Sequence, residues 1–148
     1  MICFTASHKY YADVILDYID PTGELIQHRL YREHCVPTTD NVYIKDLRIF
    51  EGRDMKDLII VDNAVYSFGS QLSNGIPILP FKFDKEDIEF TDLMYYIEQI
   101  HNQPDYRVCN EQAFQLEKVF KFNLQNYVEY YKYDENDNSD NEEDVEQA

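Results

Sequence analysis

The sequence predicts an α/β layered fold, and three observations carry that reading. Leu58–Ile59–Ile60–Val61 is a short, uniformly apolar run, the pattern of a strand covered on both faces in a parallel sheet. The stretches from Ser7 and from Asp84 instead repeat apolar residues at steps of three and four, the period of a helix lying on a core. The two kinds of segment alternate along the chain, as a layered α/β arrangement requires.

Taken in order, Met1–Phe4 reads as the end of a strand. From Ser7, placed to act as an N-cap, Tyr11, Val14, Ile15, Tyr18 and Ile19 form a helical stripe that Pro21–Thr22–Gly23 terminates. A short strand is expected around His28–Tyr31, a polar loop over Val36–Asn41 and an extended piece at Val42–Ile44. Leu58–Val61 is the clearest strand and ends in Asp62–Asn63. Ile76–Leu79, between Gly75 and Pro80, is another. Asp84 is placed to cap a helix running to His101, with Phe90, Leu93, Met94, Ile97 and Ile100 on one face. The last pattern, from Glu111 to Tyr131, puts Ala113, Leu116, Phe120, Leu124, Tyr127 and Tyr131 on one stripe.

A chain of 148 residues with 44% hydrophobic and 15% aromatic residues has enough apolar mass for one domain with a core. Its longest apolar stretch, Gly75–Phe81, is broken by two prolines and falls far short of a membrane span. These features predict a soluble protein inside the cell, nuclear or cytoplasmic, with no membrane partner. Cys3, Cys35 and Cys109 are far apart and odd in number, which points to reduced thiols. Neither they nor His8, His28, His34 and His101 show metal-ligand spacing.

The formal charge is −16, and eight of the 29 acidic residues fall between Asp134 and Glu146 with no basic residue among them. The body keeps 21 acidic against 13 basic residues, a net of −8. That balance argues against nucleic-acid binding, which needs clustered Lys and Arg for phosphate contacts. The tail is expected to be a disordered, solvated run, with a docking site for a basic partner as the other reading.

Ligands of open α/β sheets collect beyond the C-terminal ends of strands. Thr5 stands at one such end and Asp62–Asn63 at another. A hydroxyl can donate to a phosphate oxygen, and a carboxylate and an amide oxygen are hard ligands of the kind magnesium prefers. Lys45, in Tyr43–Ile44–Lys45–Asp46–Leu47, adds a compact positive charge suited to a phosphoryl group.

Together, Phe4–Thr5–Ala6–Ser7, Tyr31–Arg32–Glu33–His34–Cys35, Tyr43–Ile44–Lys45–Asp46–Leu47 and Ile59–Ile60–Val61–Asp62–Asn63 stand in one order and spacing. In this the chain resembles the small C-terminal-domain phosphatases, the NLI-interacting-factor-like group of the haloacid dehalogenase superfamily. Tyr11–Ala12–Asp13, Gly52–Arg53–Asp54 and Ser73–Asn74–Gly75–Ile76–Pro77 extend the resemblance across residues 1–120. It implies a Rossmann-like three-layer parallel sheet and hydrolysis of phosphoserine or phosphothreonine in proteins through an aspartyl-phosphate. By the same resemblance Thr5 would hold phosphoryl oxygens and Lys45 would neutralise phosphoryl charge. Asp62 and Asn63 would bind Mg2+, and Arg32 would line the substrate groove.

The family's first motif, an apolar strand ending in Asp-x-Asp-x-Thr or Val, supplies the nucleophile and the general acid. Only four residues precede Thr5 here, which leaves no room for it, so the central first strand is expected to be missing and the sheet incomplete. Val14–Thr22 imitates the motif, but two residues separate Asp17 from Asp20 where the motif has one. In a strand that spacing points the two carboxylates to opposite faces. The family's Ser-Pro after Asp-Asn is replaced by Ala64–Val65. The resulting expectation is the C-terminal part of a protein serine/threonine phosphatase domain over residues 1–122, inactive alone and with weakened Mg2+ affinity. The end of a C-terminal helix (123–132) and the acidic tail (133–148) would follow. The other reading is a non-catalytic pseudophosphatase that binds phosphoproteins or acts as a scaffold.

Overall fold

The computed structural model describes residues 1–39 and 42–121. Six short strands and three helices are laid out as β1 (Ile2–Phe4), α1 (Lys9–Ile19), β2 (His28–Leu30), β3 (Val36–Pro37), β4 (Tyr43–Ile44), β5 (Ile60–Asp62), β6 (Gly75–Pro77), α2 (Glu89–Ile100) and α3 (Tyr106–Phe114). The class is α/β, as the alternating pattern predicts. The strands form three separate pairs: β1 with β2 and β5 with β6 are parallel, and β3 with β4 is antiparallel. No hydrogen-bonded register joins β1 to β5 among the described residues. Instead a cavity of about 470 Å3 lies there, lined by Ile2 and Phe4 from one side and Leu58–Val61 from the other, with Phe50 and Ile97 closing it. The sheet is therefore incomplete where the sequence predicts it to be.

The chain divides into two units after Phe114, and the first, Met1–Phe114, is compact. In the first, α1 packs on the β1–β2 pair, with Ala12, Leu16, Ile26 and Tyr31 as its core. The stripe expected to be buried turns outward: Tyr11, Val14, Ile15, Tyr18 and Ile19 are all exposed, Tyr18 at 89%. Polar contacts explain the rotation. Arg29 on β2 donates to Asp13 (3.2 Å) and Asp17 (2.7 Å), and Tyr31 donates to Asp13 (2.6 Å). These bonds bring the 12–13–16–17 face of α1 to the sheet. Lys9 completes the cluster, and the Lys9 and Tyr31 hydrogen bonds hold the Asp13 carboxyl down to about 2. The helix starts at Lys9 with no side-chain cap. Ser7 is held instead in a local turn, its N–H donating to the Thr5 hydroxyl (3.1 Å).

Asp20, the second carboxylate of the motif-like segment, is buried at the C-terminal end of α1. It accepts from the N–H groups of Glu24, Leu25 and Ile26 at 3.2, 3.0 and 2.8 Å, which folds the chain over Gly23 (φ 70°) and back into β2. The segment is thus a helix and its cap, not a substitute strand. The Ile26 N–H, ahead of those of Leu25 and Glu24, lowers the Asp20 carboxyl below its ordinary range. An unfolded aspartate titrates near about 3.9. A folded-state value below that adds stability above the unfolded value and loses it as pH falls through the folded one. The melting temperature should therefore stay level above the unfolded aspartate value and fall as pH drops below it. Asp20→Asn should lower the level portion and make the fall shallower in thermal melts. An unchanged acid limb in that variant would contradict the assignment.

Elsewhere the boundaries shift. The second parallel pair begins at Ile60 and at Gly75, and the expected loop after Cys35 contains β3, paired through Val36↔Ile44 and Pro37↔Tyr43. Buried Asn74 ties this region together, its amide donating to the carbonyls of Met55 (2.6 Å) and Leu58 (2.7 Å). Asp84 caps a local turn through Glu86 N–H, and α2 starts later, at Glu89; of its predicted face Ile100 is buried while Phe90 and Met94 are exposed. Asn110 of α3 accepts from Tyr96 (2.9 Å) and donates to the Ser73 carbonyl (3.1 Å), an anchor that no apolar periodicity shows. The single helix expected from Glu111 to Tyr131 is corrected: α3 ends at Phe114, and Gln115 takes a positive φ of 51° that breaks the helical run. Leu124, Tyr127, Tyr131 and the acidic tail lie outside the described residues. No helix of the described residues is long and apolar enough to cross a membrane.

Candidate active site

Thr5 follows β1, Asp62 ends β5, and Lys45 follows β4. Their backbones are fixed independently of their side chains. Thr5 N–H donates to Leu30 O (2.9 Å), Lys45 N–H to Ser67 O (2.6 Å), and Ile78 N–H to Asp62 O (3.3 Å). The side chains of Thr5, Lys45, Asp62 and Asn63 line one cavity of about 390 Å3, with Tyr43 and Ser67 completing the wall. Four residues chosen from strand ends and charge type, spread over almost sixty positions, are thus brought together.

Inside the cavity Thr5 Oγ1 accepts from Ser7 N–H, which leaves the hydroxyl proton to donate. Lys45 Nζ is paired with Asp62 Oδ2, and Asp62 Oδ1 accepts from Ala64 N–H (2.8 Å). Both side chains are nearly buried, at 13% and 7% exposure. Asn63 is exposed. Asp62 and Asn63 offer the hard oxygens magnesium takes, but both Asp62 oxygens are already engaged. Nor does any group of three or more His, Cys, Asp or Glu converge among the described residues. Asp62 and Asn63 would hold magnesium only with water and phosphate oxygens completing its shell.

Arg32 does not line the cavity. Its Nε donates to the Ala6 carbonyl (2.7 Å), its Nη1 lies 3.0 Å from His8 Nε2, and its guanidinium stacks 4.8 Å from the centre of the Tyr43 ring. Since Ala6 and Tyr43 are both wall residues, Arg32 braces the rim. Cys35 lies behind Thr5, its Sγ 3.8 Å from the Thr5 carbonyl. Burial pushes its thiol up, with Lys45 opposing, so it stays protonated and is no thiolate nucleophile.

Two wall residues received no role from the sequence: Tyr43, although it opens the Lys45 motif, and Ser67. Tyr43 stacks under Arg32. Ser67 is 4% exposed, and its hydroxyl has no hydrogen-bond partner among the described residues. A buried hydroxyl left unpaired costs about 1–3 kcal/mol. Ser67 lies in the tight helical stretch Val65–Asn74, so its approach to the cavity comes from local winding and not from a strand end.

The sequence model of the NLI interacting factor-like phosphatase family matches residues 1–107. The chain belongs to that family. Among curated relatives it is 49% identical over 100 residues to CTD small phosphatase-like protein 3 of Caenorhabditis elegans, covering 68% of this chain and 34% of that one. To CTD small phosphatase-like protein 2 of Dictyostelium discoideum it is 42% identical over 116 residues, covering 78% of this chain and 20% of that one. The solved structure of Fcp1, an essential RNA polymerase II CTD phosphatase, matches 76% of this chain and 32% of its own with a TM-score of 0.47 and 21% identity, too slight a likeness to argue from. The chain of this family member spans about a third or less of the length of those relatives.

Proposed function

We propose that this chain supplies one half of a protein serine/threonine phosphatase centre, the half that holds the phosphoryl group, and that it does not turn over substrate alone. The observation that supports the first part is the convergence of the Thr5 hydroxyl, the Lys45 ammonium and the Asp62–Asn63 oxygens on one cavity at the C-terminal ends of two parallel strands. Such a set can position a phosphate and neutralise its charge, which is most of what phosphoryl transfer asks of a protein. Similarity to CTD small phosphatase-like proteins supports a phosphoprotein as the substrate, read here as a phosphoserine or phosphothreonine protein, with Arg32 and Tyr43 at the rim where a peptide would run.

Inactivity is supported by the state of the carboxylate. Asp62 is the acidic side chain lining the cavity, and with Lys45 on one oxygen and Ala64 N–H on the other it is not free to attack phosphorus. The slot between β1 and β5 has the apolar lining and the open parallel edges that a further strand would need. A carboxylate carried at the C-terminal end of such a strand would arrive beside Thr5 and Lys45. It would also raise the number of oxygen donors near Asp62 and Asn63, which is where magnesium would then be held.

A test is turnover of para-nitrophenyl phosphate by the purified chain with magnesium present. None is expected. Hydrolysis that disappears in Lys45→Ala would refute the inactive reading. The same cavity also favours a second reading, a phosphoprotein-binding module, because the holding groups are present while no free carboxylate is.

A further inference from the structure

We infer that Ser67 is a further anion-holding residue of this cavity, its hydroxyl donating to an oxygen of a bound phosphate; the inference rests on the phosphoryl-holding reading above. Three features of Ser67 lead there. The residue is almost completely buried in the wall shared by Thr5, Lys45 and Asp62. Its hydroxyl has no partner among the described residues, whereas buried hydroxyls are ordinarily paired. Its backbone is pinned at both ends, the N–H donating to Ala64 O (2.8 Å) and the carbonyl accepting from Lys45 N–H (2.6 Å), and Phe68 behind it is fully buried.

With the main chain fixed, rotation about Cα–Cβ is the one freedom left to Ser67. That rotation carries the hydroxyl among three staggered positions. In the present one the oxygen is screened from solvent, and the proposed one presents it to the cavity whose wall Ser67 shares. The company it keeps decides what it would meet there. The Thr5 hydroxyl and the Lys45 ammonium are both donors, so the occupant they suit is rich in acceptors. A tetrahedral oxyanion presents several oxygens at once, and a third donor in the same wall would fix its orientation as well as its position. An alanine at this position would give the same fold without a stranded hydroxyl, so the serine makes sense through its ligand.

Inorganic phosphate is the probe, followed by 31P line broadening and titration calorimetry on the full chain, with thermal melts run in parallel. Ser67→Ala should weaken phosphate binding about tenfold while melting at or above the wild-type temperature, because it removes an unpaired buried group. Ser67→Cys, close in volume and a poor donor, should bind as weakly and serves if the alanine variant does not fold. Phosphate binding unchanged in both variants, or weakened only together with a lower melting temperature, would overturn the inference. Thr5→Ala separates the two levels of the argument. If Thr5→Ala weakens binding and the Ser67 variants do not, the role of Ser67 is wrong and the cavity reading stands. If the wild-type chain binds no phosphate, or binds it equally well in all variants, both fall.

Discussion

Replacing Lys45 by methionine is expected to destabilise the fold by about 3–5 kcal/mol, measured by chemical denaturation. The replacement keeps the length and apolar stem of the side chain and removes the charge. Asp62, at 7% exposure, is then left in the wall of the cavity with Ala64 N–H as its one remaining neutral partner. Uncompensated burial of a charge is among the most disruptive changes a fold can suffer. The double variant Lys45→Met/Asp62→Asn should recover most of the loss, since the pair contributes far less than the penalty for breaking it. The contrast lies on α1, where Lys9 and Asp13 are 2.6 Å apart but 62% and 26% exposed. A pair of that kind is worth about 0–1 kcal/mol. A Lys45→Met chain within about 1 kcal/mol of wild type would show that Asp62 is solvated or protonated in the cavity. The holding site would then lack the charge balance assigned to it.

Gly75→Ala is expected to lose about 3 kcal/mol or more, for a purely steric reason. The glycine opens β6 with an ordinary extended backbone, so its value is not conformational freedom. A Cβ there would lie 2.7 Å from Cζ of Phe68 and closer still to Cδ2 and Cε2. Phe68 is 0% exposed and cannot give way without disturbing the Ser67 and Lys45 backbone bonds next to it. Trimming the ring makes room, so Phe68→Leu/Gly75→Ala should be less destabilised than the sum of its single changes. A coupling of about 1–3 kcal/mol in a double-mutant cycle is the expected size. Additive losses would mean that the two residues do not meet in solution.

The site was legible in the sequence because strand ends write themselves in short apolar runs followed by polar residues. Phe4–Thr5 and Val61–Asp62–Asn63 have that form, and both lead into the one cavity. Lys45 was legible through its motif, but its pairing with Asp62 was not, since nothing local couples residues seventeen positions apart. Ser67 gave no signal because a serine in a turn-rich stretch is ordinary until its surroundings are known. The outward rotation of α1 was hidden for a different reason. Periodicity weighs apolar side chains, and here Asp13 and Asp17, held by Arg29, decide which face meets the sheet. The break at Gln115 was hidden because no glycine or asparagine marks the positive φ.

The separate pairing of the strands also bears on how this chain is made. Ile2 finds its partner at His28 and Ile60 at Gly75, so each parallel pair is closed within its own stretch of chain. On a ribosome the β1–α1–β2 unit can settle on Ala12, Leu16, Ile26 and Tyr31 before β5 has been synthesised. The later pair then forms around Phe68 without having to thread between strands already docked. Each parallel pair can therefore form locally, and Lys45, bonded through its N–H to Ser67 and through its ammonium to Asp62, is gathered in with the later of the two.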